Sequence, residues 1–282
     1  VERFEWALKH KILESSHSCT RINNAIIEGG NLDVLKRAWL APGFEFTSPE
    51  SPEIDTAAQF GQTHIFEWFM DQPALHDRIY AWGCTLELAA NRGHLDILKV
   101  FKARADKYPD DEVWHPKWDD ALEAAFYVGN MEIFEWVIAH GTCEQDMKTF
   151  LEYSLCITLV VRGHLEMLQW YMARLEVENF PDIINYNKNN CLNTKRAAQY
   201  GHLEMLKWLV ENGFKFAADA LTAAAEGGHL ECIVYLRERG CNITPTIAKA
   251  AVNFAQIHVL RWAIENSCKW NPQWTLDQLE QI

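Results

Sequence analysis

One motif recurs along the chain and constrains the fold more than any other feature. Its clearest copy is AAQYGHLEMLKWLVENG at 197–213: two small residues, two variable ones, Gly-His-Leu, and then an apolar helix face. Clear copies also lie at 224–240, 89–101 and 159–171, and more divergent ones at 26–38, 57–69, 125–137 and 251–263. The copies lie 27 to 38 residues apart when counted from the glycine. A period of about 20–50 residues is typical of solenoids.

Each copy predicts a pair of helices. Alanines in the first segment let helices approach closely, and the glycine permits a turn that other residues resist. The second segment has a wide apolar face that one pair cannot bury alone, so neighbouring pairs must stack on it. The sequence therefore predicts an all-α solenoid of about eight stacked helix pairs, with almost no strand. We expect residues 1–282 to form a single array whose first repeat is truncated, with Val1–His10 as its second helix.

The segment CTLELAANRGH at 84–94, followed by LDILKVF, resembles an ankyrin repeat, whose pattern is T-P-L-H-x-A and then Gly-His. The resemblance extends over roughly Val1 to Cys268, and the short GHLEMLKWL form is similar to divergent ankyrin arrays of protists and large DNA viruses. It implies an ankyrin-like α-solenoid whose concave face binds another protein. It also implies that the histidine after the glycine braces the turn by hydrogen bonding.

Charge and composition restrict the class of partner. Hydrophobic residues make up 49% of the chain, which is ample for a packed core, and the net charge is −13. An acidic chain is a poor scaffold for nucleic acid or an anionic membrane, so we expect neither, and a partner with a basic surface is favoured. No run of 18 apolar residues is present. The eight cysteines form no CxxC, which indicates reduced thiols in a cytoplasmic or nuclear protein. We expect a monomer.

No catalytic, cofactor or metal motif is present. There is no G-x-S-x-G, no HExxH and no phosphate-binding glycine loop, so the prediction is a protein that is not an enzyme and needs no cofactor. A histidine follows the glycine in four copies, at His94, His164, His202 and His229. Residues placed once per repeat lie about one repeat apart, which does not suit a metal site whose ligands converge on one point.

A column of tryptophans lies seven residues after the glycines, at Trp68, Trp136, Trp170, Trp208 and Trp262, with Tyr235 in the same register. An aromatic ligand rail is one interpretation of this column. The fixed helical spacing favours the other, in which these rings form the core between repeats.

The candidate binding residues are the variable ones beside an otherwise constant scaffold. In ankyrin repeats, the two residues before the glycine face the concave groove. Carried over to this sequence, that register is rich in aromatic residues and arginine, the residue types that dominate interface hot spots; it gives Phe60, Arg92, Tyr127, Arg162, Tyr200 and Phe254. Alternatively, some of these side chains pack between first helices. Trp114 and Trp118, near an expanded connection, are either interface anchors or fill a gap in the core.

The predicted function is therefore a protein–protein interaction module. The resemblance leaves two biological settings open: a pathogen effector that is secreted and engages a host target inside a cell, or the adaptor arm of a larger protein such as a ubiquitin-ligase substrate receptor. A catalytic module is the alternative from another class. Perturbed titratable groups clustered in one deep pocket would favour that alternative.

Overall fold

A computed structural model describes residues 16–40, 52–72, 82–108, 118–141, 155–266 and 268. These ranges contain seventeen α-helices and no strand, which confirms the all-α prediction. The helices belong to two compact units, Val1–Asp146 (unit 1) and Met147–Ile282 (unit 2). The truncated repeat predicted at Val1–His10 lies outside the described residues.

Unit 1 contains four described helix pairs, and the first helix of each pair packs on the first helix of the next. The pairs are α1 (Ser16–Glu28) with α2 (Leu32–Trp39), α3 (Pro52–Gln59) with α4 (Thr63–Met70), α5 (Trp82–Arg92) with α6 (Leu95–Lys107), and α7 (Asp119–Val128) with α8 (Met131–His140).

Unit 2 also contains four pairs, stacked in the same way, and one additional helix. The pairs are α9 (Leu155–Arg162) with α10 (Leu165–Val177), α12 (Leu192–Gln199) with α13 (Leu203–Glu211), α14 (Ala220–Gly227) with α15 (Leu230–Glu238), and α16 (Pro245–Asn253) with α17 (Ile257–Glu265). The additional helix is α11 (Pro181–Asn189).

The two helices of each pair are joined by a tight turn, in which the residue after the first helix has a left-handed backbone conformation. Gly129, for example, has φ 80°, and the N–H groups of Gly129 and Asn130 both donate to the Ala125 carbonyl at 3.0 and 2.9 Å. Carbonyls that the helix end would leave unpaired are satisfied in this way. Ala255 stands in the same place with φ 55°, where a Cβ costs about 1–2 kcal/mol relative to glycine.

The core is formed by small residues of the first helices and by a three-position face of the second helices. In α13 that face is Met205, Leu206 and Leu209, all buried. The tryptophan column lies at the flank of this face: Trp68, Trp136, Trp170, Trp208 and Trp262 are half-buried. The prediction that these rings form the interior was therefore too strong, because each ring covers the edge of the core and keeps part of its surface in water.

The connection between α10 and α12 contains the additional helix α11, which the repeat pattern did not predict. Pro181 lies in the first turn of α11, where a backbone N–H would have no partner within the helix and its absence costs nothing. Ile183 and Asn187 are the buried residues of this helix. The Asn187 amide donates to the Tyr171 hydroxyl at 3.3 Å. Two buried residues on one side were too few to produce a periodic signal in the sequence.

Candidate protein-binding surface

The exposed end of the first helices in unit 2 carries a row of four residues, each directly before a turn. They are Arg162, Tyr200, Gly227 and Phe254, on the neighbouring helix pairs that begin with α9, α12, α14 and α16. Tyr200 is 48% exposed and Phe254 is 56% exposed, and Arg162 is also exposed. We refer to these four residues as the unit 2 row. Large exposed aromatic rings on a rigid scaffold are typical of binding surfaces.

The Tyr200 ring lies beside the histidine of its own turn. It stacks on the His202 imidazole with the planes 17° apart and the centroids at 6.3 Å. His202 is itself fixed, because its Nε2 donates to the Val161 carbonyl of the preceding repeat at 3.1 Å. A partner would therefore meet a preorganised ring and would lose little of its binding energy to ordering this side chain.

Gly227 lies between the two exposed aromatic residues in the register of the row. A Cβ added there would overlap the Gln199 carbonyl and the His229 ring, so the backbone itself passes too close for a side chain. α12 and α16 are two helix spacings apart, which is roughly 16–20 Å for packed helices. The unit 2 row therefore has two exposed aromatic residues, Tyr200 and Phe254, separated by a helix whose residue in the same register, Gly227, has no side chain.

The first helices of unit 2 are predominantly basic, although the whole chain is acidic. Arg162, Lys195, Arg196 and Lys249 lie on α9, α12 and α16, and Glu226 is the one acidic residue on these helices and α14. Lys195 forms an ion pair with Asp219, and the Arg196 guanidinium donates to the Gln199 side-chain oxygen at 2.6 Å. The sequence analysis did not identify this pattern, because net charge averages over helices that have different neighbours.

In unit 1 the same register also exposes the predicted residues. Phe60 is 44% exposed, Tyr127 is 37% exposed, and Arg92 is exposed. The first helices here have the opposite charge balance, with Arg21 and Arg92 against seven acidic residues: Glu28, Glu53, Asp55, Glu87, Asp119, Asp120 and Glu123. The six residues predicted from the groove register are thus all at the surface, but they are divided between two units of different charge.

Trp118 is not an interface anchor. It is 2% exposed and packs between Phe101 and Trp136, with ring centroids 6.1 and 5.8 Å away. The gap-filling interpretation of this residue is therefore the one that the structure supports. The reason is that Trp118 lies directly before α7, where its carbonyl accepts from the Leu122 N–H and its ring enters the core. Trp114 lies outside the described residues.

The turn histidines bridge consecutive repeats, as the ankyrin resemblance implied. His94 Nε2 donates to the Gln59 carbonyl of the repeat before it at 3.0 Å, and its ring occupies the space in which a Cβ on Gly61 would lie. Gln62 and Gln256, at the same register, donate to Glu28 and Glu226 at 3.0 and 3.4 Å. These glutamines could have been identified from the sequence, because they occupy the position directly after the turn residue, as the histidines do.

Titratable groups with altered pKa values occur in both units, and several of them share a repeat, as His229, Cys232 and Tyr235 do. Burial raises the pKa of the Cys156 thiol to about 12 and that of Cys232 to about 11. Such thiols are poor nucleophiles at neutral pH. Burial also raises the pKa of the Glu53 carboxyl in α3, against a hydrogen bond from Asn23.

Comparison with known proteins found one matching family model, which covers part of unit 2. The profile of the family described as "Ankyrin repeats (3 copies)" matches residues 155–247, which lie in unit 2. A similar solved structure is the ankyrin repeat domain of human ASB11, at 19% identity over 67% of this chain and 84% of that one, with a TM-score of 0.45. No curated relative matches. Residues 155–247 are therefore ankyrin repeats, which confirms the resemblance stated from the sequence. Ankyrin repeats are general protein–protein interaction modules.

No helix in the described ranges is long and apolar enough to cross a membrane.

Proposed function

We propose that the chain is a protein-binding module whose principal contact surface is the unit 2 row. The observation that carries this proposal is the pair of exposed rings, Tyr200 and Phe254, on either side of Gly227. Aromatic residues on a rigid repeat scaffold supply large contact area at little entropic cost. We further propose that residues 1–282 form one array, that the working state is a monomer without catalytic activity, and that the protein acts in the cytoplasm or nucleus. The effector and adaptor settings stay predictions.

The proposal is tested by selecting nine-residue peptides on the full chain and measuring their affinity by fluorescence anisotropy. The test variant is Tyr200→Ala with Phe254→Ala, and the matched control is Ile257→Ala, which truncates a well-exposed apolar side chain on the second helix α17. We expect the double variant to lose about 10-fold or more in affinity, in line with removal of two hot-spot residues. The control should bind like the parent protein.

Equal binding by the parent and the double variant would show that the peptides contact another surface, and the proposal would then be wrong. Circular dichroism melting checks that the variants are folded. Because both substituted residues are exposed, we expect the melting temperature to change little.

A further inference from the structure

The last described helix pair, α16 with α17, exposes a face that is covered in the other pairs of unit 2. At the fifth position after the turn residue, the three earlier pairs have Leu168, Leu206 and Ile233, and all three are fully buried. The residue of α17 at this position is Leu260, which is only half-buried. The difference therefore lies in what covers the pair, since the residue type is the same or similar.

Two neighbouring positions show the same loss of cover. Ala225 of α14 is fully buried, whereas Val252 at the same position of α16 is half-buried. Leu230 of α15 is half-buried, whereas Ile257 at the same position of α17 is 70% exposed. Both helices of the last pair are thus uncovered on one side.

The uncovered side is the one on which a following pair would stack. Arg237 of α15 faces the pair after its own: its guanidinium carbon lies 5.7 Å from the Trp262 ring centroid, and it donates to the Asn266 side-chain oxygen. Ile264 has the same position in α17 and is exposed. We refer to the uncovered surface as the end face; it consists of Val252, Ile257, Leu260 and Ile264.

The end face is apolar, which is unusual for the terminal element of a solenoid. Ile257, Leu260 and Ile264 are three and four residues apart, so they form one stripe along α17. Repeat arrays require terminal elements with a polar outer face to stay soluble. The end face therefore needs an apolar element to lie on it.

The sequence of residues 273–282, QWTLDQLEQI, suits this task, although the segment lies outside the described residues. Leu276, Leu279 and Ile282 are spaced by three, so in a helix they share an arc of about 120°. The positions between them are two glutamines and two acidic residues. The pattern predicts a short amphipathic helix with one apolar and one polar side.

The segment is also close enough to reach the end face. Cys268 is fixed on the last pair, because its N–H donates to the Ala263 carbonyl at 2.9 Å. Eight residues lead from Cys268 to Leu276 and extend to about 26–29 Å at most. The nine residues of α17 are about 14 Å long, so the segment can lie along the whole stripe.

We propose that residues 273–282 fold as a helix on the end face and cap the array, with Leu276, Leu279 and Ile282 against the α17 stripe and the polar side in water. This inference goes beyond the proposed function, because it concerns a different surface from the unit 2 row. A second copy of the chain is the other apolar occupant. The segment is favoured over it because a tethered segment has an effective concentration in the millimolar range.

The test is hydrogen exchange with mass spectrometry on the full chain. In the parent protein, we expect the amides of residues 276–282 to exchange about 10-fold or more slowly than in a synthetic peptide of residues 269–282. In the variant Ile257→Asp with Ile264→Asp, most of this protection should be lost, because two carboxylates replace the apolar stripe. Exchange in the segment at the peptide rate in the parent protein would overturn the proposal.

The matched control is Val177→Asp, which places a carboxylate at a 75% exposed apolar residue of α10, three pairs away from the end face. It should leave the protection of residues 276–282 unchanged. Equal loss of protection in the control would show that the effect does not depend on the end face, and the proposal would then be wrong.

A reciprocal variant decides the matter if circular dichroism shows that the double variant is unfolded. Leu279→Asp should release the segment and also speed exchange in α17, because that helix would lose its cover. Protection in α17 unchanged by Leu279→Asp would contradict the proposal. Sedimentation velocity tests the other occupant: a dimer of the parent protein that dissociates in the Ile257→Asp, Ile264→Asp variant would assign the end face to a second copy and overturn the proposal.

Discussion

The turns at Asn130 in unit 1 and His202 in unit 2 have the same backbone but connect their repeats differently. The Asn130 side chain accepts from the Ile133 N–H at 3.1 Å, so it caps its own helix α8. The His202 ring does not cap α13; it donates to the Val161 carbonyl of the repeat before it. A short side chain thus stabilises a repeat by itself, whereas a longer one at the same position connects two repeats. The residue after the glycine decides which of the two occurs.

The difference extends to the glycines. A Cβ on Gly163 would lie 2.7 Å from the His202 Cε1, whereas a Cβ on Gly93 would lie 3.5 Å from the Asn130 Nδ2, an ordinary contact. Both glycines have a left-handed backbone, with φ 79° and 84°. A side chain at Gly163 is thus disfavoured both by the left-handed backbone and by the His202 ring, whereas at Gly93 only the left-handed backbone disfavours it.

The largest predicted effect comes from replacing these two glycines. Gly163→Ala and Gly93→Ala share the left-handed penalty of about 1–2 kcal/mol. Gly163→Ala must also displace the His202 ring, which adds the loss of a part-buried hydrogen bond, about 1 kcal/mol more. Urea unfolding followed by circular dichroism measures both.

The control for this pair is the double variant Gly163→Ala with His202→Ala. In the His202→Ala background the ring is absent, so Gly163→Ala should cost only the left-handed penalty of about 1–2 kcal/mol, as Gly93→Ala does. Equal losses for Gly163→Ala and Gly93→Ala would show that the two turns do not differ as described.

The next effect concerns where stability is lost. His202→Ala should expose the turn of the preceding repeat, so the amide hydrogens around Val161 and Gly163 should exchange faster. Asn130→Ala should instead destabilise α8 itself, by about 1 kcal/mol for the lost helix cap. Hydrogen exchange with mass spectrometry distinguishes the two patterns. His202→Gln should behave like the parent protein, because Gln62 and Gln256 make the same connection elsewhere. Protection changes confined to α13 in His202→Ala would contradict the bridging role.

Glu53 in unit 1 and His229 in unit 2 should contribute to stability with opposite dependences on pH. Burial raises the pKa of Glu53 in unit 1 above its ordinary value of 4.5, so the contribution of this group is complete below that pH and is lost as the pH rises through the raised pKa. Burial and the nearby His202 lower the pKa of His229 in unit 2 below 6.5. The contribution of His229 is complete above pH 6.5 and is lost as the pH falls through the lowered pKa.

Two substitutions isolate these groups. Glu53→Gln should raise the melting temperature at pH 7.5 and have less effect at pH 4, and His229→Gln should raise it at pH 5 relative to pH 7.5. Differential scanning calorimetry across this pH range measures both. If Glu53→Gln lowers stability at pH 7.5, the buried carboxylate is stabilised by something other than the Asn23 bond.

The smallest predicted effect is a gain. Ala255 has φ 55° where the other turns have glycine, so Ala255→Gly should stabilise the last described pair by up to about 1 kcal/mol. The same substitution at Ala248, buried inside the helix α16, is the control and should be destabilising. Thermal melting measures both variants, and a loss of stability in Ala255→Gly would mean that its methyl group makes a contact that outweighs the strain.

The repeat unit and the helix pairs could be predicted from the sequence, because each turn needs a residue with φ near 80° and the glycine that meets this need recurs visibly along the chain. The exposure of Tyr200 and Phe254 followed from their register. The burial of Trp118 and the helix α11 could not be predicted, because both depend on what lies across the core from them. The basic character of the first helices in unit 2 was also hidden, since helices 27 to 38 residues apart in sequence become neighbours only after folding.

The bridge between a glycine and the histidine or glutamine one repeat later has a consequence for how such a chain can grow. Where a histidine or glutamine follows the glycine, the preceding repeat supplies the empty space that this side chain fills, as at Gly61 with His94. Duplicating a whole repeat of this kind conserves the correspondence without any compensating substitution, whereas inserting half a repeat would break it at both junctions.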